Sequence, residues 1–131
     1  MVMKKIIFFL FFTLLFVSCN NQVKDKNNKV NLEEINSEII IPLAVGETVK
    51  VQAQINPSTG YNWQMALPID CNVEVLKEVI SPQSKEPIVG APSQLIYHVT
   101  GKRIGECTLD FFYGRAWEGL SAPKKIKFVV K

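Results

Sequence analysis

The sequence predicts an all-β domain, built as a two-sheet sandwich of about seven strands. From Glu38 onward, apolar residues alternate with polar ones in segments of five to nine residues, which is the period of a strand with one buried face. Pro, Gly and Asn separate the segments, as expected for turns. A 3.6-residue apolar period never continues through three turns, so the pattern favours strands over helices. Seven strands in about 95 residues are typical of a sandwich.

Each predicted strand is defined by its alternating apolar residues. In chain order these are Ile39-Ile41-Leu43, Val49-Val51-Ala53-Ile55, Tyr61-Trp63-Met65-Leu67, Val73-Val75-Val79, Leu95-Tyr97-Val99, Cys107-Leu109-Phe111-Tyr113 and Ile126-Phe128-Val130. The first five sets end at Gly46, Asn56-Pro57, Pro68, Pro82 and Gly101. A domain of this size has a small core, so we expect functional residues on the connections at one end of the sandwich.

Length and charge argue against several classes of protein. A chain of 131 residues accommodates one domain, which argues against a multidomain enzyme or a polytopic membrane protein. The net charge is +3, but Lys4 and Lys5 lie in a leader, and the remainder has 13 basic and 12 acidic residues. This balance gives no support to a nucleic-acid partner. Seven glycines and seven prolines are too few for a collagen-like rod.

The N-terminus is predicted to be an export signal. Lys4-Lys5 precede a 12-residue run, Ile6–Val17, that is apolar except for Thr13. The run is too short to span a bilayer and has the proportions of a secretory signal. Phe16-Val17-Ser18-Cys19 resembles a bacterial lipobox, whose cysteine receives diacylglycerol and becomes the new N-terminus, although Phe16 stands where Leu is usual. The alternative is an ordinary signal peptide with a cysteine nearby.

The N-terminal prediction implies a domain organisation and a location. We expect residues 1–18 to be a lipoprotein signal peptide and residues 19–34 to be a lipidated Cys19 followed by a flexible tether. Residues 20–31, NNQVKDKNNKVN, have the composition of a solvated segment. The domain is expected to begin near Ile35 and to cover residues 35–131. The protein would then be exported and anchored by lipid to the bacterial cell envelope, facing the periplasm or the surface.

Two cysteines remain after Cys19. Cys71 and Cys107 are an even pair in an oxidising compartment, so a disulfide between them is one alternative. The other is two small buried apolar residues that do not meet. CxxC and CxxH spacings are absent, so we expect no metal site, and we predict no cofactor.

Three connections differ from simple turns. The first is Asn56-Pro57-Ser58-Thr59-Gly60-Tyr61, where Pro fixes φ and Gly permits positive φ. The second runs for 13 residues from Ser81 and closes with Val89-Gly90-Ala91-Pro92-Ser93; such lengths are uncommon without a function. The third, Gly114-Arg115-Ala116-Trp117-Glu118-Gly119, carries Arg and Trp, which are enriched at interface hot spots. The alternatives are a plain β-turn for the first connection and, for Trp117, a ring folded back over the sandwich edge.

Together these residues resemble the chagasin family, which are small immunoglobulin-like inhibitors of papain-type cysteine peptidases. The resemblance covers about residues 38–131. It rests on NPSTGY ahead of Trp63, a Gly-led loop some 30 residues later, and an Arg-x-Trp loop after a strand ending in Tyr. The stretch Leu43-Ala44-Val45-Gly46-Glu47 also fits. The resemblance implies an immunoglobulin-like β-sandwich that inhibits reversibly and competitively, with three loops wedged into the peptidase cleft; one such wedge needs no second subunit, so we expect a monomer.

The resemblance also implies which residues bind the peptidase. They are Asn56, Pro57, Ser58, Thr59, Gly60, Tyr61, Gly90, Ala91, Pro92, Arg115, Ala116 and Trp117. Ser58-Thr59 would lie closest to the catalytic cysteine, Gly90-Ala91 along the unprimed subsites, and Trp117 on the aromatic wall of the primed side. Arg115 would support its loop or pair with an acid. Pro92 and Ser93 depart from the family, which usually has Gly there, and so does Ala116, where Pro is usual.

Two other function classes compete with inhibition. For an enzyme, the single histidine, His98, alternates with Tyr97 and Val99, so it is expected on the sheet surface rather than as a general base. No phosphate loop or Ser/His/Asp set is present, and we therefore expect no catalysis. The second alternative is a surface-tethered immunoglobulin-like binding or adhesion module whose ligand is not a peptidase, because sandwiches serve many functions.

Overall fold

A computed structural model describes residues 28–82 and 90–131, and nearly all regular structure in these ranges is β. The strands are β1 Lys29–Asn31, β2 Glu38–Leu43, β3 Thr48–Ile55, β4 Asn62–Ala66, β5 Val73–Ile80, β6 Ser93–Gly101, β7 Gly105–Arg115, β8 Gly119–Leu120 and β9 Lys124–Val130. One 3-10 turn, Leu32–Glu34, follows β1. Within the described ranges, no helix has the length and apolar character needed to cross a membrane.

The strands form two sheets, which confirms the predicted all-β sandwich. One sheet has the order β1-β3-β6-β5, and the other has the order β2-β9-β7-β4, with β8 paired to β7. Most neighbours are antiparallel, but β1 runs parallel to β3 and β2 runs parallel to β9. The seven strands expected from the alternation correspond to β2–β7 and β9.

Two short strands were not predicted, and one of them moves the start of the domain. The expected start near Ile35 is too late, because Val30 and Leu32 are 1% and 0% exposed and belong to the core. A strand of three residues places one side chain, here Val30, on the buried face, so it shows no alternation to recognise. The other missed strand, β8, is two residues long. The predicted signal peptide and Cys19 lie outside the described residues.

The core lies between the two sheets and is built from the alternating residues. In β3, Val49 and Val51 are fully buried, while Lys50 between them is exposed. The largest fully buried side chains are Phe111, Phe128, Leu32, Ile35, Ile41, Leu95, Leu109 and Ile126. Burial of each such side chain contributes about 1.5–3 kcal/mol, so the two apolar faces hold the sheets together.

A disulfide ties the β4–β5 connection to β7. Cys71, two residues before β5, is bonded to Cys107 in β7, and their Cα atoms are 5.4 Å apart. Of the two alternatives for these cysteines, the structure therefore has the bonded pair. The bond links residues 36 positions apart, and closing a loop of this length in the unfolded chain stabilises the fold by about 4 kcal/mol in the chain-entropy treatment.

The strand directions give the sandwich two distinct ends. The β3–β4, β5–β6 and β7–β8 connections emerge at one end, hereafter the three-loop end. The β2–β3, β4–β5 and β6–β7 connections emerge at the opposite end. All three connections singled out in the sequence belong to the three-loop end.

Candidate functional site

The β3–β4 loop is held in shape by its own hydrogen bonds. The backbone of Asn56 pairs with Tyr61 at the base of the loop. Within the loop, the Thr59 N–H donates to the Asn56 carbonyl at 3.2 Å and the Gly60 N–H donates to the Pro57 carbonyl at 3.3 Å. The Thr59 hydroxyl also donates to the Asn56 carbonyl, at 3.0 Å. The loop therefore presents an exposed tip, residues 57–59, on a preformed turn.

The Asn56 side chain connects this tip to the β5–β6 connection. Its Oδ1 accepts a 2.6 Å hydrogen bond from the Ser58 hydroxyl, and its Nδ2 donates to the Gly90 carbonyl at 3.4 Å. Gly90 is exposed and has φ +84°, a region that favours glycine. Of the predicted residues on this connection, Ala91 is half-buried and Pro92 is exposed. Residues 83–89 of the connection lie outside the described ranges.

Arg115 joins the third loop to the first. Its guanidinium carbon lies 4.3 Å from the centroid of the Tyr61 ring, and its Nη1 donates to Glu118 Oε1 at 2.9 Å. The Glu118 N–H closes the turn by donating to the Arg115 carbonyl at 3.1 Å. In this structure Arg115 thus supports its loop and pairs with an acid at the same time.

Trp117 packs against Gly60 of the β3–β4 loop. The indole is 70% exposed, so it is not buried against the edge of the sandwich. A Cβ atom built on Gly60 would overlap the far edge of the Trp117 ring, and Gly60 has φ +81°. Glycine at position 60 therefore suits the positive φ of the backbone and leaves room for the close approach of the indole.

Two residues of this end were not identified from the sequence. Tyr113 stacks on Tyr61 with ring centroids 5.5 Å apart and contacts Trp63 at 5.1 Å, so it supports the base of the β3–β4 loop. The register that pairs Trp63 with Tyr113 is a tertiary feature without a local signal. Glu118 had a signal, because a spacing of three residues from Arg115 suits an ion pair across a tight turn.

The other reactive residue types lie away from these loops. His98 is on the outer face of β6, with its Nε2 2.7 Å from Glu78 on the neighbouring strand. Burial raises the pKa of the Tyr97 hydroxyl above its ordinary value of 10.0, which favours the neutral phenol in the core. Among residues 28–82 and 90–131, no three His, Cys, Asp or Glu side chains lie together as a potential metal site. The described residues of the three loops therefore form the candidate site.

The family assignment comes from the sequence over most of this sandwich. The profile of the chagasin family peptidase inhibitors, I42, matches residues 42–131, which is more than half of the chain. The chain belongs to the chagasin family. The matched range contains every residue of the three loops described above and excludes β1.

Individual relatives of the chagasin family support the assignment. Chagasin from Trypanosoma cruzi is 33% identical over 86 residues, covering 62% of this chain and 76% of the relative. Amoebiasin-2 from Entamoeba histolytica is 26% identical over 110 residues, covering 84% of this chain and 85% of the relative. The similarity therefore extends over most of each relative's length.

Solved structures show the same fold. A cysteine protease inhibitor from Entamoeba histolytica superposes with a TM-score of 0.62 at 22% identity, covering 79% of this chain and 94% of that one. PbICP-C, solved in complex with falcipain-2, superposes with a TM-score of 0.54 at 20% identity, covering 79% and 98%. The expected immunoglobulin-like sandwich is confirmed by these fold matches and by the two-sheet architecture.

Proposed function

We propose that this chagasin-family protein is a reversible, competitive inhibitor of papain-type cysteine peptidases, and that its three-loop end fills the peptidase cleft. The observation that carries the proposal is the contact among the three loops, through the Asn56–Gly90 hydrogen bond and the packing of Trp117 on Gly60. The family assignment supports inhibition of a peptidase, and the fold neighbour in complex with falcipain-2 supports this class of partner. A peptidase interface of standard size buries about 1,600 Å² in total, which one exposed end of this domain can supply as a monomer.

The β3–β4 loop is the part proposed to meet the catalytic cysteine. Its tip residues Ser58 and Thr59 are exposed and small. The turn hydrogen bonds onto the Asn56 carbonyl hold the tip in a bent conformation, whereas a substrate is attacked as an extended strand. The loop therefore occupies the cleft without presenting a scissile carbonyl, and its preformed shape keeps the ordering cost of binding low. We therefore expect the protein to inhibit the peptidase and to catalyse no reaction itself.

The β7–β8 loop is proposed to supply the aromatic anchor. An exposed indole buries a large area at little cost in side-chain entropy, which is why Trp is frequent among interface hot spots. Trp117 is 70% exposed, and the edge of its ring lies against Gly60. The Arg115–Glu118 ion pair and the stacking of Arg115 on Tyr61 order the loop despite Ala116, which stands where the family usually has Pro.

The β5–β6 connection is proposed to lie along the unprimed subsites. Gly90 is exposed and its carbonyl is tied to Asn56, which fixes the direction of the backbone beside the first loop. Pro92 has no N–H to donate, so backbone pairing with a peptidase ends there. We expect this difference to change selectivity among peptidases rather than to abolish inhibition.

A titration of peptidase activity tests the proposal. The chain from Asn20 to Lys131 is added to papain and to a cathepsin-L-like enzyme while hydrolysis of a fluorogenic peptide is followed. We expect stoichiometric loss of activity that is recovered on dilution and overcome by excess substrate. The control is Leu76→Ala, because Leu76 is 62% exposed on a strand outside the loops. A folded protein that leaves both enzymes active at micromolar concentration contradicts the proposal and favours the non-peptidase binding module.

We also propose that the protein is exported and anchored through lipid on Cys19. The proposal is supported by the basic and apolar residues 4–17 and by the lipobox-like Phe16-Val17-Ser18-Cys19. Expression of the full chain in a bacterial host with labelled fatty acid tests it. We expect label on the native chain and none on Cys19→Ala, whereas an unlabelled native chain that is processed and released contradicts the anchor.

A further inference from the structure

The strand directions place the entry of the chain at the end opposite the three loops. β1 runs parallel to β3, and β3 starts at the opposite end and finishes at the three-loop end. Asn28, the first described residue, therefore lies beside the start of β3. Its carbonyl accepts a 2.8 Å hydrogen bond from the Lys50 N–H, and its Nδ2 donates to Glu47 Oε1 at 3.4 Å. A segment leading back to Cys19 leaves the domain from this end.

The connections at the same end carry four exposed large apolar side chains; Leu67 is 47% exposed, and the other three are more than half exposed. Val45 on the β2–β3 turn is 54% exposed, Ile69 on the β4–β5 connection is 102% exposed, and Ile104 on the β6–β7 turn is 77% exposed. Each therefore extends into solvent from a connection and contributes little to the core. We call these three residues the apolar tips.

Backbone hydrogen bonds hold the three connections of this end together. The Gly46 N–H donates to the Gly101 carbonyl at 2.8 Å, which ties the β2–β3 turn to the end of β6. The Lys102 N–H donates to the Asn72 carbonyl at 2.9 Å, and Asn72 Nδ2 donates to the Arg103 carbonyl at 3.0 Å. These bonds tie the β4–β5 connection to the β6–β7 turn. The apolar tips are thus carried on one braced surface rather than on independent loops.

We propose that the apolar tips rest on the lipid bilayer that holds Cys19, so that the three-loop end faces away from the membrane. This inference rests on the proposed lipid anchor. Short exposed apolar side chains on a braced end insert into the interface between headgroups and acyl chains, as the apolar face of an interfacial element does. We assign a lipid surface as the partner of the apolar tips because the chain enters the domain at the same end as the tips, only nine residues after the proposed lipid-bearing Cys19.

The length of chain between the anchor and the domain supports this orientation. Cys19 precedes Asn28 by nine residues, so even a fully extended segment spans no more than about 30 Å. The eight residues of β3 alone cover about 26 Å, and the β3–β4 loop extends beyond them. The distance from Asn28 to the three-loop end is therefore about equal to the greatest distance that the segment back to Cys19 can span. The apolar tips, by contrast, lie at the same end of the sandwich as Asn28.

The charged residues at this end are close to balanced, with a small excess of cations. Lys102 pairs with Glu74 at 2.7 Å, and the exposed cations Arg103 and Lys131 are accompanied by the exposed acid Asp70. Apolar insertion is weak for three side chains alone, but the anchor keeps the domain at a high local concentration beside the bilayer. We therefore expect contact with zwitterionic as well as anionic membranes.

The experiment attaches the protein to vesicles chemically, so that it does not depend on natural lipidation. The chain from Cys19 to Lys131 contains every described core residue. Since Cys71 and Cys107 are bonded to each other, Cys19 is the thiol that couples to a maleimide lipid in phosphatidylcholine vesicles. Part of the lipid carries bromine in its acyl chains and quenches tryptophan that lies at the membrane. The probes are Ile69→Trp at the opposite end and Leu76→Trp on the face of the sheet, 62% exposed.

The proposal predicts a difference between the two probes. The Ile69→Trp variant is expected to lose most of its added emission on brominated vesicles. The Leu76→Trp variant keeps its added emission, and the native chain keeps the emission of its two tryptophans, Trp63 and Trp117. Replacing each apolar tip with Ser is expected to weaken the residual binding of uncoupled chain to vesicles by about tenfold. Papain added to the outside of the vesicles is expected to be inhibited as strongly as by free protein.

Three outcomes overturn the proposal. The first is equal quenching of the Ile69 and Leu76 probes, which means that the domain has no fixed orientation. The second is quenching of Trp117, which means that the three-loop end faces the bilayer. The third is a dimer in solution that Ile69→Ser dissociates, which assigns the tips to contact between two copies. Failure of papain inhibition by free protein contradicts the proposed function instead, and the quenching measurement is independent of it.

Discussion

The substitution Gly60→Ala tests two features of position 60, which are its positive φ and its contact with the Trp117 ring. The added methyl would meet the indole ring, and the residue would have to keep φ near +81°. A side chain in the left-handed region costs about 1–2 kcal/mol. Displacing the indole costs nothing comparable in stability, because Trp117 is 70% exposed and can move into solvent. The displacement does, however, move Trp117 out of its proposed binding position.

The molecule offers a matched control for this substitution. Gly46 has φ +85°, and no atom lies within 4 Å of a Cβ built there. Gly46→Ala therefore introduces the same backbone strain without a clash, at the end of the sandwich away from the loops. Gly90 has φ +84° and is equally open, so Gly90→Ala introduces the strain within the proposed binding surface.

Two measurements on each variant distinguish the effects. Urea unfolding is expected to show a similar loss of about 1–2 kcal/mol for Gly46→Ala and Gly60→Ala. The inhibition constant for papain is expected to stay unchanged for Gly46→Ala. For Gly60→Ala it is expected to rise by about 30-fold, corresponding to the roughly 2 kcal/mol of a displaced hot spot. Equal inhibition constants for these two variants would refute the role given to the Gly60–Trp117 contact.

Three further predictions follow from the structure. Trp117→Ala is expected to raise the inhibition constant by about 30-fold or more while leaving the midpoint of urea unfolding unchanged, and an unchanged inhibition constant would mean that the loop does not contact the peptidase. Replacing Cys71 and Cys107 together by Ala is expected to lower the free energy of unfolding, measured in urea, by about 4 kcal/mol. The inhibition constant of the folded protein should not change. A loss below about 1 kcal/mol would show that the disulfide constrains the unfolded chain little. Because burial raises the pKa of Tyr97 in the folded state, the unfolded chain ionises first. The contribution of Tyr97 to the free energy of unfolding should therefore be constant at pH values well below 10 and fall as the pH rises through 10. Tyr97→Phe should make this decline less steep, and an equally steep decline in that variant would exclude Tyr97 as its source.

The alternation of apolar residues was sufficient to predict the strands that bury one full face. Val49, Val51, Ala53 and Ile55 recur at every second position, and each is buried in β3. The same reasoning failed for β1, where Val30 is the single inward residue. The alternation also gave no information on which strands pair with each other. The parallel pairing of β2 with β9 joins residues more than 80 positions apart and depends on the whole fold.

The parts of the candidate site that depend on neighbouring residues in the sequence could be predicted. Pro57 and Gly60 have fixed meanings for a turn, and their positions indicated a shaped β3–β4 loop. The packing of Trp117 on Gly60 and the stacking of Tyr113 on Tyr61 depend on the register between β4 and β7. Cross-strand register is set by the folded sandwich, so these contacts have no signature in either loop alone.

The parallel pairing of β2 with β9 has a consequence for the order in which the protein can assemble. Among the described strands, β2 is joined to its sheet through β9 alone, and β9 is the last strand of the chain. The N-terminal half therefore cannot complete its sheet until the C-terminal residues are available, and contacts between distant residues form slowly. Under the proposed export, a chain that enters the channel from its N-terminus would close this sheet only after β9 has crossed.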